Sequence, residues 1–505
     1  MQKRNYATVG IAIFCALTLG WLVATLLRGP RRFVLAQAAE RLGMATGLGD
    51  AVAAASPRMP ELCTMTGNRH LIEYENGKPF FMAGIAPQNI IYWCTPELMD
   101  AYFADRQREH FNFAWVMIDG YGPRGMQVQT GLTNPTDARG HSMLLHGTSW
   151  DPKNLNPAYV ASVDAMVRAA TQHRFYLFLD PFDSAYQTGR LDFDPTKYPL
   201  SEMRRWGEFW GKRYRDFTNV NFALGNDRLV WPQVDSVVSG LEQYMPDRLV
   251  TIDWISGPPD WSSAHTSPHD FYEMGHHWIN FNGWYEYHAP QWATWYHYHM
   301  VDPVMPTAIF ETMYEDLKVG NPWNRVTGPQ TIREEVWGTV LNGGSGFGIL
   351  GAADCCGDPM RWVGKTKGVN QAEYCTNFFT ARRWYELIPD WSHTFLTSQA
   401  GTPGENDFTY VSAALTRDGS LGVCYNPGES GRGCRLTINM SKMGGGVGES
   451  LARWYDPTNG TYKTIGTLSN SGYHTFITPP ANSAGAADWV LVLEGNNVSS
   501  APSVD

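Results

Sequence analysis

Short apolar runs alternate with amphipathic helical stretches between residues 78 and 390, and this alternation constrains the fold more than any other feature of the chain. Uninterrupted apolarity is typical of strands that are buried on both faces, as in parallel sheets. The predicted strands are residues 80–84, 111–119, 175–180, 221–224, 249–253, 271–275, 307–311 and 346–350. Eight strands with intervening helices predict an α/β fold, a (β/α)8 TIM barrel.

Helix starts can be read between several of these strands. Thr95-Pro96 and Asn156-Pro157 each place a capping side chain before a proline at the first helical position, and Ser201 begins a third helix. Residues 120–155, rich in Gly, Pro, Thr and Asn, interrupt this rhythm after the second strand. In such barrels the loops that follow strands build the catalytic face, so we expect this insertion to lie there.

The pattern changes after residue 395. Short apolar runs are now separated by Gly, Pro and Asn, at residues 408–414, 421–425, 434–440, 451–455, 473–477 and 489–493. This spacing is typical of a small antiparallel β-sandwich. We therefore expect a barrel over residues 61–394, a sandwich over 395–497 and a tail over 498–505. Cys424 and Cys434 flank a turn of this sandwich and could bridge adjacent strands if the chain is exported.

The amino terminus carries an uncharged run of 21 residues, 7–27, with basic residues on both sides. About 20 residues cross a bilayer core, whereas the apolar part of a cleaved signal peptide has about 7–15. Residues 1–32 therefore favour an uncleaved signal-anchor over a signal peptide, followed by a linker over 33–60. We expect an exported protein, anchored at the cell surface or in the periplasm, or secreted if the segment is cleaved.

The net charge of −10 and the lack of a Lys/Arg block exclude the electrostatic pattern of a nucleic-acid binder. The 20 Trp and 24 Tyr residues suit a large core and also surfaces on which sugars stack. We expect a carbohydrate partner, no nucleic acid, no cofactor, no metal, and a membrane contact only through the amino-terminal segment.

Two carboxylates follow strands at positions that suit catalysis. Asp227 follows Asn226 at the end of the predicted fourth strand, and Glu311 ends the seventh. They are 84 residues apart over three βα steps, or 28 residues a step, and a barrel of about 250 residues has about 31 a step. Both would point into one bowl. Paired carboxylates there suit glycoside hydrolysis, in which one gives a proton to the leaving oxygen and the other stays ionised.

Further polar residues at strand ends are candidates for substrate binding. The carboxylates and rings among them could bond or stack against sugars, and Asn226 could bond a hydroxyl next to the reacting carbon. Glu315, four residues after Glu311, is also an alternative nucleophile. The remaining candidates are Asp119, Tyr121, Asp180, Tyr314 and the pair His276 and His277, which follow the predicted sixth strand.

The chain resembles the apiosidase-like glycoside hydrolases, glycoside hydrolase family 140 and relatives, with their carboxyl-terminal collagen-binding-type sandwich. The resemblance covers roughly residues 65–495. The segments that carry it are Asn76-Gly-Lys-Pro-Phe-Phe81, Arg108-Glu-His-Phe-Asn112, Leu224-Gly-Asn-Asp227, Phe310-Glu-Thr-Met-Tyr-Glu315, Arg333 before Gly343-Gly-Ser-Gly-Phe-Gly348, and Trp454-Tyr-Asp-Pro-Thr-Asn-Gly460.

The resemblance implies Asp227 as general acid/base and Glu311 as nucleophile of a retaining glycosidase, acting on a furanosidic sugar such as apiose or arabinose. Two departures bear on this. The first strand runs Phe81-Met-Ala-Gly-Ile-Ala-Pro87 where the family tends to have a Gly-Asp-Thr turn. Asp227 is one methylene shorter than the Glu of related barrels, and a carboxyl separation beyond about 5.5 Å would favour inversion.

Two other classes of protein remain open on sequence grounds. The aromatic content also fits a non-catalytic carbohydrate- or matrix-binding protein on a degenerate barrel, with the sandwich as its working part. His297-Tyr-His299 suggests a metal-dependent hydrolase, although the pair has no clustered third ligand.

Overall fold

In the computed structural model, eight parallel strands form one sheet that curls into the predicted barrel. The strands are β1 Met82–Ile85, β2 Phe113–Met117, β3 Tyr176–Asp180, β4 Val220–Gly225, β5 Val250–Asp253, β6 Asn282–Tyr285, β7 Thr307–Glu311 and β8 Gly346–Ile349, in the sheet order β5-β4-β3-β2-β1-β8-β7-β6. The structure describes residues 58–64, 69–70, 72–73, 75–119, 134–147, 149–183, 198–225, 231–253, 267–285, 290–299, 302–315, 327–349, 358–361, 363, 366–398, 400–401, 409–428 and 435–495.

The two edge strands of this sheet, β5 and β6, meet through a mixture of backbone and side-chain hydrogen bonds. Asn280 donates its backbone N–H to the Val250 carbonyl at 3.1 Å, and its side-chain oxygen accepts from the Val250 N–H at 2.8 Å. The Thr251 hydroxyl accepts from the backbone N–H of Gly283 at 3.0 Å. These bonds close the barrel at its seam.

The barrel interior is filled by aromatic rings. Phe113, Phe178, Phe281 and Phe310 are buried, and their ring centroids lie 4.8–5.9 Å apart where the rings meet. A Cβ on Gly84 would lie 2.0 Å from the Phe113 ring, so only glycine fits beside it. Successive side chains of a strand point to opposite faces, so the alternate residues pack outward against the helices.

Nine helices are seen in the described residues: α1 Ile90–Trp93, α2 Pro96–Arg108, α3 Pro157–Gln172, α4 Leu200–Tyr214, α5 Trp231–Glu242, α6 Pro268–Glu273, α7 Pro290–His299, α8 Pro329–Leu341 and α9 Lys367–Thr380. The Asn156 side chain accepts from the Ala158 N–H at 3.0 Å and caps α3 as predicted. None of these helices is long and apolar enough to cross a bilayer. The predicted anchor segment, residues 7–27, lies outside the described residues.

The predicted sixth strand is wrong. Residues 271–275 lie at the end of helix α6 and in the turn that follows it, and the strand is Asn282–Tyr285. A capping box begins α6, because the Ser267 side chain accepts from the Asp270 N–H while the Asp270 side chain accepts from the Ser267 N–H. This strand was not predicted because its sequence, Asn-Gly-Trp-Tyr, has only one strongly apolar side chain, although all four residues are buried.

The carboxyl-terminal part contains two antiparallel sheets, as predicted. A six-stranded sheet contains β9 Leu387–Pro389, β11 Ser412–Thr416, β12 Leu421–Asn426, β14 Glu449–Tyr455, β15 Tyr462–Ser469 and β17 Trp489–Gly495. A three-stranded sheet contains β10 Leu396–Ser398, β13 Arg435–Asn439 and β16 Tyr473–Ile477. Cys424 is a buried thiol without a bridge in the described residues, and Cys434, its possible partner, lies outside them.

A buried ion pair joins the barrel to the sandwich. Arg333 of α8 binds both carboxylate oxygens of Asp488 at 2.7 Å, and both side chains are at most 1% exposed. The hydroxyl of Tyr425 donates to the same carboxylate at 3.1 Å, and its ring stacks parallel to Trp337 with centroids 6.0 Å apart. The two parts therefore share a core and are packed as one body.

Candidate active site

Glu311 is the best-defined acidic residue at the carboxyl end of the barrel. It is the last residue of β7, and only 3% of its surface is exposed. Its Oε2 accepts a hydrogen bond from Gln88 Nε2 at 3.0 Å, and its Oε1 accepts one from the hydroxyl of Tyr314. Donors to both oxygens hold the carboxylate in one orientation.

The partners of Glu311 come from two different segments. Tyr314 lies in the loop after β7, and its carbonyl accepts from the Thr327 hydroxyl. Gln88 lies beyond β1 and is buried, and its own carbonyl accepts from the Met117 N–H at the end of β2. Tyr314 was among the predicted site residues. Gln88 was missed, because the only sequence signal is a polar residue shortly after a predicted strand.

Asp180, at the end of β3, holds the end of β4. Its two carboxylate oxygens accept from the backbone N–H groups of Phe182 at 2.9 Å and Gly225 at 3.1 Å. Burial, and then the negative charge of Asp119, raise the pKa of Asp180 well above its ordinary value. Gly225 has a φ of 113°, a conformation in which glycine is strongly favoured. Asp180 therefore stabilises the backbone from which Asn226 and Asp227 continue.

Asp119 has a comparable role after β2. Both of its carboxylate oxygens accept from the Asp183 N–H, at 3.0 and 3.2 Å, and it is 1% exposed. Asp183 in turn pairs with Gly225 through an isolated parallel bridge. Asp119 and Asp180 were predicted to contact substrate. The structure shows them bonded to backbone groups that shape the rim near β4.

Three predicted residues, Asn226, Asp227 and Tyr121, lie outside the described residues. The described chain ends just before the first two. Gly225, directly before Asn226, pairs in register with Asp253 at the end of β5. All strands of the sheet are parallel, so Gly225 ends β4 at the same end of the barrel at which Glu311 ends β7.

Glu315 is not placed to act as an alternative nucleophile or a substrate ligand. It is 1% exposed, and its carboxylate oxygens accept from the backbone N–H groups of Gly368 at 2.8 Å and Val369 at 3.0 Å. Those groups belong to the first turn of α9. A carboxylate there satisfies unpaired N–H groups and interacts favourably with the helix dipole. We therefore assign Glu315 a structural role, which corrects the prediction.

His276 and His277 were placed in the site because they were expected to follow a strand. They precede β6 instead, since residues 271–275 do not form a strand. His276 Nδ1 lies 2.9 Å from Asp235 Oδ1, and its ring stacks on Trp231 with centroids 3.8 Å apart. His277 is exposed. The reason for including this pair in the site is therefore lost.

The two histidines of the suggested metal site have separate partners. His297 is buried, and its Nδ1 lies 2.8 Å from Asn282 Nδ2, so this nitrogen accepts from the amide. His299 is exposed, and its Nδ1 lies 2.7 Å from the Trp295 carbonyl. Within the described ranges, no three His, Cys, Asp or Glu side chains cluster in a way that could hold a metal ion.

A cavity of about 320 Å³ lies at the opposite end of the barrel. Its lining includes Asn112, Arg174 and Tyr176, at the amino ends of β2 and β3. Active sites of such barrels lie at the carboxyl ends of the strands. The cavity is therefore separate from the site around Glu311.

Comparison with known families agrees with this architecture. Residues 65–386 match the family model of the apiosidase-like catalytic domain. Residues 400–494 match a family described as "Putative collagen-binding domain of a collagenase". No curated protein matches the sequence.

Solved structures share the fold at low sequence identity. A glycoside hydrolase matches with a TM-score of 0.69 and 17% identity, over 87% of this chain and 98% of its own. A family 5 glycoside hydrolase from Bacteroides vulgatus matches with the same TM-score and identity, over 88% and 96%. The match to the apiosidase-like catalytic domain sets the non-catalytic alternative aside. Because the apiosidase-like match covers more than half of the 505 residues, the chain belongs to this family and is a glycosidase.

Proposed function

We propose that this glycosidase cleaves furanosidic bonds, of apiose or arabinose type, in a plant or microbial polysaccharide by a retaining mechanism. Glu311 is the nucleophile and Asp227 the general acid/base. The observation that carries the proposal is the buried Glu311 carboxylate at the end of β7, with hydrogen bonds to both oxygens from the neutral donors Gln88 and Tyr314. The sugar and its ring form rest on the family resemblance.

The reaction would run in two steps. In the first, a Glu311 oxygen attacks the anomeric carbon, the bond to the leaving oxygen breaks, and Asp227 gives that oxygen its proton. In the second, Asp227 takes a proton from water, the water oxygen bonds the anomeric carbon, and the Glu311 carboxylate is released. Asn226, next to Asp227, would donate to the hydroxyl beside the reacting carbon, where a hydrogen bond strengthens in the transition state.

The substrate class is tested by screening the full chain against aryl glycosides. The panel should include apiofuranosides and arabinofuranosides, with pyranosides of glucose, mannose and xylose for comparison. We expect hydrolysis of a furanoside, with retained configuration in the first product seen by proton NMR. Turnover of pyranosides alone would contradict the furanosidic assignment, and an inverted first product would contradict retention.

The two roles are tested by single substitutions and azide. Glu311→Gln and Asp227→Asn should each abolish hydrolysis while the thermal midpoint stays nearly unchanged. Azide should restore turnover of an activated substrate in both Glu311→Ala and Asp227→Ala, giving an azide product of inverted configuration in the first and retained configuration in the second. Asp216→Asn, an exposed acidic residue before β4, is the control. Retained turnover in both Glu311→Gln and Asp227→Asn would refute the assignment.

We also propose that the protein is exported and held at the membrane by residues 1–32. The proposal rests on the uncharged run 7–27 with its basic flanks. Membrane fractionation with amino-terminal sequencing of the mature chain tests it. A soluble protein that begins after residue 32 would show cleavage in place of anchoring.

A further inference from the structure

Gln88 makes a hydrogen bond across the barrel mouth that the sequence did not indicate. Its side-chain amide, from the segment after β1, donates to Glu311 Oε2 at the end of β7 at 3.0 Å. These strands are not adjacent, because β8 lies between them in the sheet. The contact therefore joins the segment after β1 to the end of β7, two parts of the barrel that no backbone pairing connects directly.

The amide is held from its own side as well. Gln88 is 2% exposed, its N–H donates to the Ala86 carbonyl at 2.8 Å, and its carbonyl accepts from the Met117 N–H at 3.0 Å. A side chain that is buried and attached to a fixed backbone has few accessible rotamers. Its amide therefore stays in one place, and its hydrogen bond fixes the orientation of the partner.

We propose that Gln88 is a positioning residue for the reaction, and that its amide holds the Glu311 carboxylate in the orientation from which it attacks the anomeric carbon. This inference rests on the proposed function of Glu311. An amide suits the task because it donates a hydrogen bond without a net charge, whereas a cation would bind the carboxylate more strongly and make it a weaker nucleophile. Small misplacements of reacting groups cost large factors in rate.

Two tyrosines of the described structure lie beside Glu311. Tyr314 donates to it from the loop that follows β7. Tyr285, buried at the end of β6, pairs with Glu311 in register. On the other side, β8 is Gly-Phe-Gly-Ile and contributes no titratable side chain.

The test compares three substitutions of Gln88 in the full chain. Gln88→Met removes the donor and keeps the length, Gln88→Glu replaces the amide with a second carboxyl, and Gln88→Asn keeps the amide on a shorter stem. The readouts are kcat and KM on the aryl glycoside found by the screen, the pH profile of kcat/KM, and the thermal midpoint. Asp216→Asn again serves as the control.

We expect Gln88→Met to lower kcat about 10- to 100-fold with little change in KM, because ground-state binding of the sugar does not need the aligned carboxylate. The acidic limb of its pH profile should move to higher pH, since Glu311 loses a donor to its ionised form. Gln88→Glu should move that limb further, because two carboxyls about 3 Å apart share a proton. Gln88→Asn should resemble Gln88→Met.

A wild-type kcat and acidic limb in Gln88→Met or in Gln88→Glu would overturn the inference. If one of these variants fails to fold, as judged by its thermal midpoint, the other decides. Failure of the inference is distinguishable from failure of the proposed function. An active Glu311→Gln refutes the nucleophile itself, whereas an inactive Glu311→Gln with unaffected Gln88 variants refutes only the positioning role.

Discussion

The buried carboxylate of Asp180 accepts a hydrogen bond from the backbone N–H of Gly225 at 3.1 Å, and this bond joins the ends of β3 and β4. Gly225 stands two residues before the proposed acid/base Asp227. Burial, and then the negative charge of Asp119, raise the pKa of the Asp180 carboxyl group well above its ordinary value, so this group loses its proton at a higher pH than an exposed Asp.

We expect Asp180→Asn to gain stability relative to the wild type as pH rises. With a raised folded-state pKa, the folded protein binds more protons than the unfolded chain above pH of about 4, so ionisation of Asp180 costs stability on going to higher pH. Asn cannot ionise, so the variant avoids this cost. Chemical denaturation at pH 5 and pH 8 measures it. A stability difference between the two proteins that does not change with pH would contradict the raised pKa.

Breaking the buried ion pair Arg333–Asp488 should lower the free energy of unfolding strongly. Arg333→Gln leaves the Asp488 carboxylate buried without its cation, which typically costs about 3–5 kcal/mol in the free energy of unfolding. Arg383–Asp418 is a matched control, since its side chains are 30% and 51% exposed. Arg383→Gln should cost at most about 1 kcal/mol. Urea denaturation of both variants checks this, and equal losses would refute the distinction.

Glu311 and Glu315 should respond to substitution in opposite ways. Glu315→Gln keeps the size of the side chain but places an amide NH2 group, which is a donor, against the N–H groups of Gly368 and Val369. The free energy of unfolding should therefore fall by about 1–2 kcal/mol, and the thermal midpoint with it. Its kcat should stay within about tenfold of the wild type. Glu311→Gln should lose activity and keep its midpoint. A Glu315→Gln enzyme that is stable and inactive would reverse the two assignments.

Buried His297 should make the protein sensitive to mild acid. Burial, and then the charge of His269, lower its pKa from 6.5 to about 3, and burial lowers the pKa of His70 to about 4. Between these values and 6.5 the unfolded chain binds more protons, so stability falls as pH falls, by up to about 1.4 kcal/mol per pH unit for each group.

The substitution His297→Gln removes one of the groups that bind a proton when the chain unfolds. Its free energy of unfolding should therefore fall less steeply between pH 6 and 4.5 than that of the wild type, in which Asn282 binds the neutral ring. Denaturant titrations across this range give both slopes. Equal slopes would show that His297 does not titrate on unfolding.

Seven of the eight barrel strands could be predicted from the sequence, because buried parallel strands such as Phe113–Met117 are apolar without interruption. The antiparallel sheets of the sandwich could be predicted because Gly, Pro and Asn separate its short apolar runs. The sixth strand could not be found, since Asn282 and Gly283 suit a strand only through their tertiary partners, His297 and the Thr251 hydroxyl. Strand β15 was missed because an edge strand with mostly exposed side chains has little apolar pattern.

For the site, the sequence by itself placed Glu311 at the carboxyl end of a strand, because chain order and strand polarity together set that end of a parallel barrel. Only the tertiary structure decided what each carboxylate does. Glu311 and Glu315 are four residues apart, yet one accepts from Gln88 and Tyr314 and the other caps α9. Apart from Tyr314, these donors come from segments more than 50 residues away, such as Gln88 and Gly368. No local sequence pattern records contacts that arise only when distant strands and helices pack together.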